Sequence, residues 1–216
     1  MDALDVETLA LDDLVLPLHS QKAELSTVGG KGANLSQLAR AGFPVPAGFL
    51  VSTAAYRTFV QDNDLQPQIV ALARSGAGTD FEAVSAAIRQ LFEGASIPSQ
   101  VTSAIQQAYA ALCTEGQAPI PLAVRSSATA EDLPGASFAG QQETYLNVRS
   151  KQDVLQAVKR CWSSLWTPRA LAYRARQGID PATVSLAVVV QTLVPADVAG
   201  VLFTANPLTG ARDEIV

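Results

Sequence analysis

The sequence predicts an α+β protein, with a mainly helical N-terminal lobe over residues 1–118 and a mixed, mainly antiparallel sheet lobe over residues 119–216. Three observations carry this. Up to about residue 116, apolar residues recur at helical spacing and are punctuated by Gly and Pro. From residue 119 onward the helical period is interrupted by continuous apolar or β-branched runs, as expected of buried strands. Two such runs, Val184–Gln191 and Val198–Thr204, are joined through Val194-Pro195-Ala196-Asp197, a link short enough for an antiparallel hairpin.

In chain order, Lys31–Ala41 reads as a helix with Leu35, Leu38 and Ala39 on one face and a stop at Gly42. The segment Phe43-Pro-Val-Pro-Ala-Gly48 is a rigid, extended connector. Ser52 or Thr53 caps a short helix carrying Tyr56 and Phe59. Thr79-Asp80-Phe81-Glu82 has the form of a capping box, with Phe81, Val84, Ile88 and Leu91 following at helical spacing. Pro98 fits the first turn of a helix that turns Val101, Ile105, Ala108 and Leu112 inward. Pro119–Val124 enters a buried strand, and Glu143–Val148 alternates like a second. A helix over Lys151–Leu165 follows, and Thr167-Pro168 starts another that ends at Gly178.

Composition narrows the function. The chain has 216 residues, 48% of them hydrophobic and 16% charged, with a net charge of −5. That is enough apolar material for a sizeable core. The acidic balance, with few and scattered aromatics, argues against nucleic acid as a partner. The longest apolar run, Leu186–Val190 extended to Val194, is too short to span a bilayer, and the acidic N-terminus lacks the basic start of a signal peptide. A cytoplasmic protein is expected. Cys113 and Cys161 sit at apolar helical positions and read as buried thiols, and the one histidine, His19, lies in a polar segment and reads as exposed. The sequence contains no Ser–His–Asp set, HExxH motif or cysteine cluster.

Four segments can carry chemistry. Val28-Gly29-Gly30-Lys31-Gly32 opens a helix, where glycines admit close backbone approach and the first amides favour an anion. It lacks the Ser/Thr after lysine of a phosphate-binding Walker loop, and alone it fits a tight turn with a solvated lysine equally well. Arg125 is delivered by an apolar strand into a run of small, hydroxylated and acidic residues. Its planar fork suits phosphate, with Ser126, Ser127, Thr129 and Ser137 as added donors. The alternative is a surface loop with Arg125 paired to Glu131 or Asp132. Gln191-Thr192-Leu193 ends a hydrophobic strand and can offer backbone groups to a flat heterocycle such as adenine, or is simply a core strand reaching the surface. Asn206-Pro207-Leu208-Thr209-Gly210 reads as a turn; Thr204, just before it, faces a phosphate or stabilises that turn.

Taken together these segments resemble the N-terminal ATP-binding region of the phosphoenolpyruvate synthase and pyruvate phosphate dikinase family, which also includes rifampicin phosphotransferase. The resemblance lies in VGGKGANLSQLARAGFPVPAGF at 28–49, LAVRSSATAEDLPGASFAGQQETYLNV at 122–148, SLWTPRALAYRARQG at 164–178 and GVLFTANPLTG at 200–210. It implies an ATP-grasp fold that holds ATP between lobes, and an enzyme that passes the β-phosphoryl group of ATP to a histidine on a separate domain. By position, Lys31 matches the glycine-loop lysine and Arg125 the phosphate-clamping arginine. Gly140 and Thr144 fall in the loop over the phosphates, Gln191, Thr192 and Leu193 at the adenine-contacting hinge, and Thr204 near the phosphates.

The resemblance further implies Mg²⁺, held by side chains beyond residue 216, with the phosphohistidine and acceptor domains further on. Asp213 and Glu214 are not expected to replace those ligands. The expectation is therefore a C-terminally truncated, ATP-binding part of a dikinase-type phosphotransferase, without turnover alone and prone to self-association through an open sheet edge. An antibiotic kinase of the rifampicin type and a non-catalytic nucleotide- or partner-binding module are the alternatives.

Overall fold

The computed structural model describes residues 11–75, 80–113, 119–129 and 143–215. Its centre is a five-stranded sheet in the order β1-β2-β5-β3-β4, built from β1 (Val15–Pro17), β2 (Gly48–Val51), β3 (Leu122–Ala128), β4 (Thr144–Val148) and β5 (Leu186–Thr192). Every pairing is antiparallel. Strands from before residue 118 are thus built into the same sheet as those after it, and whatever division falls near that residue does not run through the sheet.

β5 forms because Leu186–Val190 can be buried on both faces, and its five residues are each at most 2% exposed. Alternate residues look in opposite directions. Val188 and Val190 join Leu122, Val124, Phe49 and Val51 in a large core. Ala187 and Val189 join Leu16, Leu50 and Val28 in a small one.

Most of the large core comes from six helices: α3 (Thr53–Asp62), α4 (Leu65–Ser75), α5 (Phe81–Gly94), α6 (Ser99–Leu112), α7 (Lys151–Ser164) and α8 (Pro168–Gln177). Tyr56, Phe59, Phe92 and Trp162 meet there, with the Phe59 and Trp162 rings 5.0 Å apart. Ser52, Asp80, Ser150 and Thr167 cap their helices with side-chain oxygens, as such residues do. Asp80 is the cap of α5; Thr79, the first residue of the expected box, lies outside the described residues. A short α1 (Leu11–Leu14) leads into β1, and α2 (Leu25–Arg40) packs on the small-core face. Along α2, Val28, Gly32, Leu35 and Ala39 turn toward that core, whereas Leu38, expected inward, is exposed.

The sequence reading missed β1, β2 and α4. It also placed a hairpin partner beside β5 that does not form. Both edges of β5 are occupied, by β2 on one side and β3 on the other, so Val198–Thr204 has no place next to it. Residues 193–215 contain no strand, and Val198, Val201 and Leu202 are exposed. The turn expected there does form: the Asn206 carboxamide oxygen accepts from Leu208 and Thr209 N–H, and Gly210 N–H returns to Asn206 O. Cys161 is buried, and burial pushes its thiol pKa up, while Cys113 is half-buried. His19 is exposed as expected. Among the described residues no helix is long and apolar enough to cross a membrane.

Candidate functional site

The site starts from a break in α2. Gly29 adopts φ 67°, ψ 175°, a conformation open to glycine but strained for other residues, and splits the helix into two segments. The second segment begins at Gly30, so Gly29 is its N-cap and has no side chain with which to cap it. The missing cap comes from β3. The hydroxyl of Ser127 accepts the N–H of Gly32 at 3.1 Å and donates to the carbonyl of Val28 at 2.7 Å. The contact is close enough that a Cβ on Gly29 would lie 2.3 Å from the Ser127 carbonyl oxygen. Gly32 is also held tightly, since a Cβ there would come within 2.9 Å of Val28.

This sets the loop that carries Lys31 against the strand that carries Arg125. Arg125 precedes Ser127 by two residues in β3, so the two share a face of the strand. Arg125 is paired with Val189 of β5, which belongs to the small core, so that face is the one α2 covers. Lys31 and Arg125, both half-buried, therefore flank one junction between the glycine loop and β3. Thr144 sits opposite Arg125 in the β3–β4 register, bringing a further predicted residue beside it. Gly140, Ser137, Glu131 and Asp132 lie outside the described residues.

Ser126, Ser127 and Thr129, expected to donate to phosphate, do something else. Ser126 donates to Glu143 O at 3.4 Å, Ser127 to Val28 O, and Thr129 to Ser185 O at 3.5 Å. A hydroxyl has one proton to give, so each is committed to the backbone. Ser126, Ser127 and Thr129 thus have no hydroxyl proton left for a phosphate.

Gln191 extends β5 on the same face, opposite Ala123 and Gly48. Its side-chain amide donates to Pro46 O at 3.2 Å. The next two backbone N–H groups are also taken, Thr192 by Ala47 O and Leu193 by Pro121 O, each at 2.8 Å. An adenine using Leu193 N–H must share or displace the Pro121 carbonyl. Thr204 lies in an exposed bend beyond β5.

Other polar groups are accounted for by packing. Arg174 is buried in the SLWTPRALAYRARQG segment, donating to Leu165 O at 2.5 Å and lying 4.8 Å from the Trp166 ring centroid. Burial lowers its pKa to about 10. Trp166 in turn donates to the Tyr56 hydroxyl at 3.2 Å. This set ties the α7–α8 corner to α3 on the face away from the glycine loop. A cavity of about 380 Å³ lined by Asp13, Lys22, Thr27, Thr53 and Arg57 opens beside the first segment of α2. There Lys22 pairs with Asp13 at 2.6 Å and Arg57 donates to Thr53 at 3.2 Å.

The fold and this junction define an α+β domain in which a glycine loop is clamped onto an antiparallel sheet. The chain belongs to the family described as pyruvate phosphate dikinase, AMP/ATP-binding domain, whose model matches residues 25–216. It is 46% identical over 193 residues to a probable phosphoenolpyruvate synthase of Methanothermobacter thermautotrophicus, covering 88% of this chain and 28% of the relative. A probable phosphoenolpyruvate synthase of Methanocaldococcus jannaschii is 47% identical over 197 residues, 89% of this chain and 17% of the relative. The rifampicin phosphotransferase of Streptomyces sviceus is 48% identical over 196 residues, 88% of this chain and 22% of the relative. The chain thus spans between about a sixth and just over a quarter of the length of these relatives.

Proposed function

We propose that this chain binds ATP with its phosphates at the junction of the glycine loop and β3, as the nucleotide-handling part of a dikinase-type phosphotransferase. Lys31 and Arg125 offset phosphate charge, Thr144 and the segment around Gly140 lie over the phosphates, and Gln191–Leu193 border the adenine. Thr204 reaches the phosphates only if residues 193–215 fold back toward β3. The observation that carries the reading is the Ser127 clamp, which fixes the lysine-bearing loop two residues from the arginine. Preorganised charge of this kind stabilises a transferring phosphoryl group without reorganisation during the reaction.

The comparisons add a second support. Relatives named for phosphoenolpyruvate synthesis and for rifampicin phosphorylation match the same stretch at 46% and 48% identity. A stretch common to two different acceptors serves the step they share, the handling of ATP. In the whole protein that step passes the β-phosphoryl group to a histidine of another domain, within an ATP-grasp-like fold. The acceptor is then pyruvate, or an antibiotic if the rifampicin-type relatives are the better guide.

Mg²⁺ is expected for such chemistry. Among the described residues no group of three or more His, Cys, Asp or Glu side chains is placed to hold a metal. Glu214 accepts from the Asn206 amide at 2.7 Å in the exposed tail. The open edges β1 and β4 leave room for self-association, which light scattering would detect.

Calorimetric titration of ATP into wild type, Lys31→Ala and Arg125→Ala tests the reading. Wild type should bind, and both variants should bind at least tenfold more weakly while keeping their circular dichroism spectra. Equal binding by all three rejects the site; no binding by any rejects ATP binding by this chain alone and leaves it at most a structural fragment.

A further inference from the structure

Ser127 stands apart from the other hydroxyls of its strand because both of its hydrogen bonds go to one loop, and that loop carries Lys31. The residue is 0% exposed. Its sequence separation from the groups it joins is 95 and 99 residues, so the clamp is tertiary and not part of any local turn. A helix that starts at a glycine has no hydroxyl of its own to hold the N–H at its third position. From these facts we infer that Ser127 is a positioning residue for the nucleotide site: it caps the lysine-bearing helix in trans and sets where Lys31 stands relative to Arg125. The inference rests on the nucleotide reading above and deepens it.

Without the hydroxyl, Gly32 N–H and Val28 C=O lose their partner in a buried setting, where an unpaired polar group is costly. The loop relieves this by moving off β3 toward water, and glycines on either side of Lys31 give it the freedom to do so. Lys31 then leaves its place, although nothing in its own side chain has changed. Ser126, one residue earlier, faces the other side of the strand and donates to Glu143 O, so it serves as the internal control.

The test is a double-mutant cycle on ATP binding by the 216-residue chain. Ser127→Ala should weaken binding about tenfold, the scale of a lost helix cap. In a Lys31→Ala background the same change should have less than a twofold effect, because the residue it positions is gone. Ser126→Ala should change binding less than twofold in either background. A purely structural role for Ser127 predicts equal losses with and without Lys31, and that result overturns the inference while leaving the nucleotide reading intact. If Lys31→Ala binds like wild type, the nucleotide reading itself has failed, and the inference falls with it. Should Ser127→Ala not fold, Ser127→Cys keeps a weak donor and enters the same cycle. Amide exchange gives a ligand-free readout: Gly32 N–H should lose at least tenfold protection in the variant while Val158 in α7 is unchanged. Unchanged Gly32 protection also overturns the inference.

Discussion

Neighbouring residues of β5 look into different worlds. Val188 and Val190 face a core built from six helices and an aromatic cluster, while Val189 faces a small apolar patch under a single broken helix. The large side is rich in capped helices and interlocked rings; the small side is rich in glycine, carries Lys31 and Arg125, and depends on one serine for its clamp. Stability is concentrated on one face of the sheet, and the proposed nucleotide site lies on the other. Local opening is easiest where few apolar contacts must break, so the face with the smaller core is also the one suited to admit and release a ligand.

That division can be broken from the stable side first. Phe59 is fully buried between Phe92 and Trp162. Phe59→Ala should lower unfolding free energy by about 3–5 kcal/mol in urea titrations. The ATP affinity of the protein that remains folded should stay within about twofold of wild type. A collapse of affinity in the folded fraction would mean that the two faces are not separable.

Gly29→Ala probes the ligand side. The backbone there is left-handed and the added methyl would press on the Ser127 carbonyl. The strain should cost about 2–3 kcal/mol of stability and also weaken ATP binding, since the clamp must give way. Gly42→Ala is the control: it also has positive φ, but a Cβ there meets nothing within 4 Å, so it should cost about 1 kcal/mol and leave affinity alone. Equal effects at the two glycines would show that backbone conformation alone matters at Gly29, without the close approach to Ser127.

Arg125→Lys sharpens the chemistry at the same junction. Charge is kept but the two-pronged donor is lost, and ATP binding should weaken by about 1–2 kcal/mol with thermal stability unchanged within about 2 °C. Binding equal to wild type would mean that Arg125 acts only as a point charge.

How much of this was readable in the sequence follows the same division. Capping residues and apolar spacing are local signals, and α3, α5, α7, α8, β3 and β5 were legible from Ser52, the Phe81–Leu91 spacing, the helix expected over Lys151–Leu165, Thr167-Pro168 and the unbroken valines. The strand β2 was hidden because Gly48-Phe49-Leu50-Val51 is short and follows a proline-rich connector. β1 has three residues, one of them proline, and pairs with β2 at the sheet edge. The cationic pair was nominated from residue type, but the role of Ser127 was not. Its partners are 95 residues or more away, and nothing in Arg-Ser-Ser says which hydroxyl turns toward a helix. The one available signal was negative: a helix opening on Gly-Gly with no capping side chain must be completed from elsewhere. The expected hairpin failed for a similar reason, since sequence proximity proposed a neighbour for β5 while the topology had already filled both of its edges.

The smallest effect concerns that displaced run. Val198 is 89% and Leu208 94% exposed, against 0% for Val188 in β5. Replacing an exposed side chain removes little burial, so Leu208→Ser and Val198→Ser should each change stability by no more than about 0.5 kcal/mol. Val188→Ser removes a filled core position and leaves a hydroxyl among apolar groups, which should cost about 3 kcal/mol or more. The contrast separates two apolar runs of similar composition by their surroundings alone. A loss above about 1 kcal/mol at Val198 or Leu208, read in the same urea titrations, would show that residues 193–215 are packed against the sheet in solution. Thr204 would then have a route toward the glycine loop, and a dependence of that loss on bound ATP would place the segment over the nucleotide.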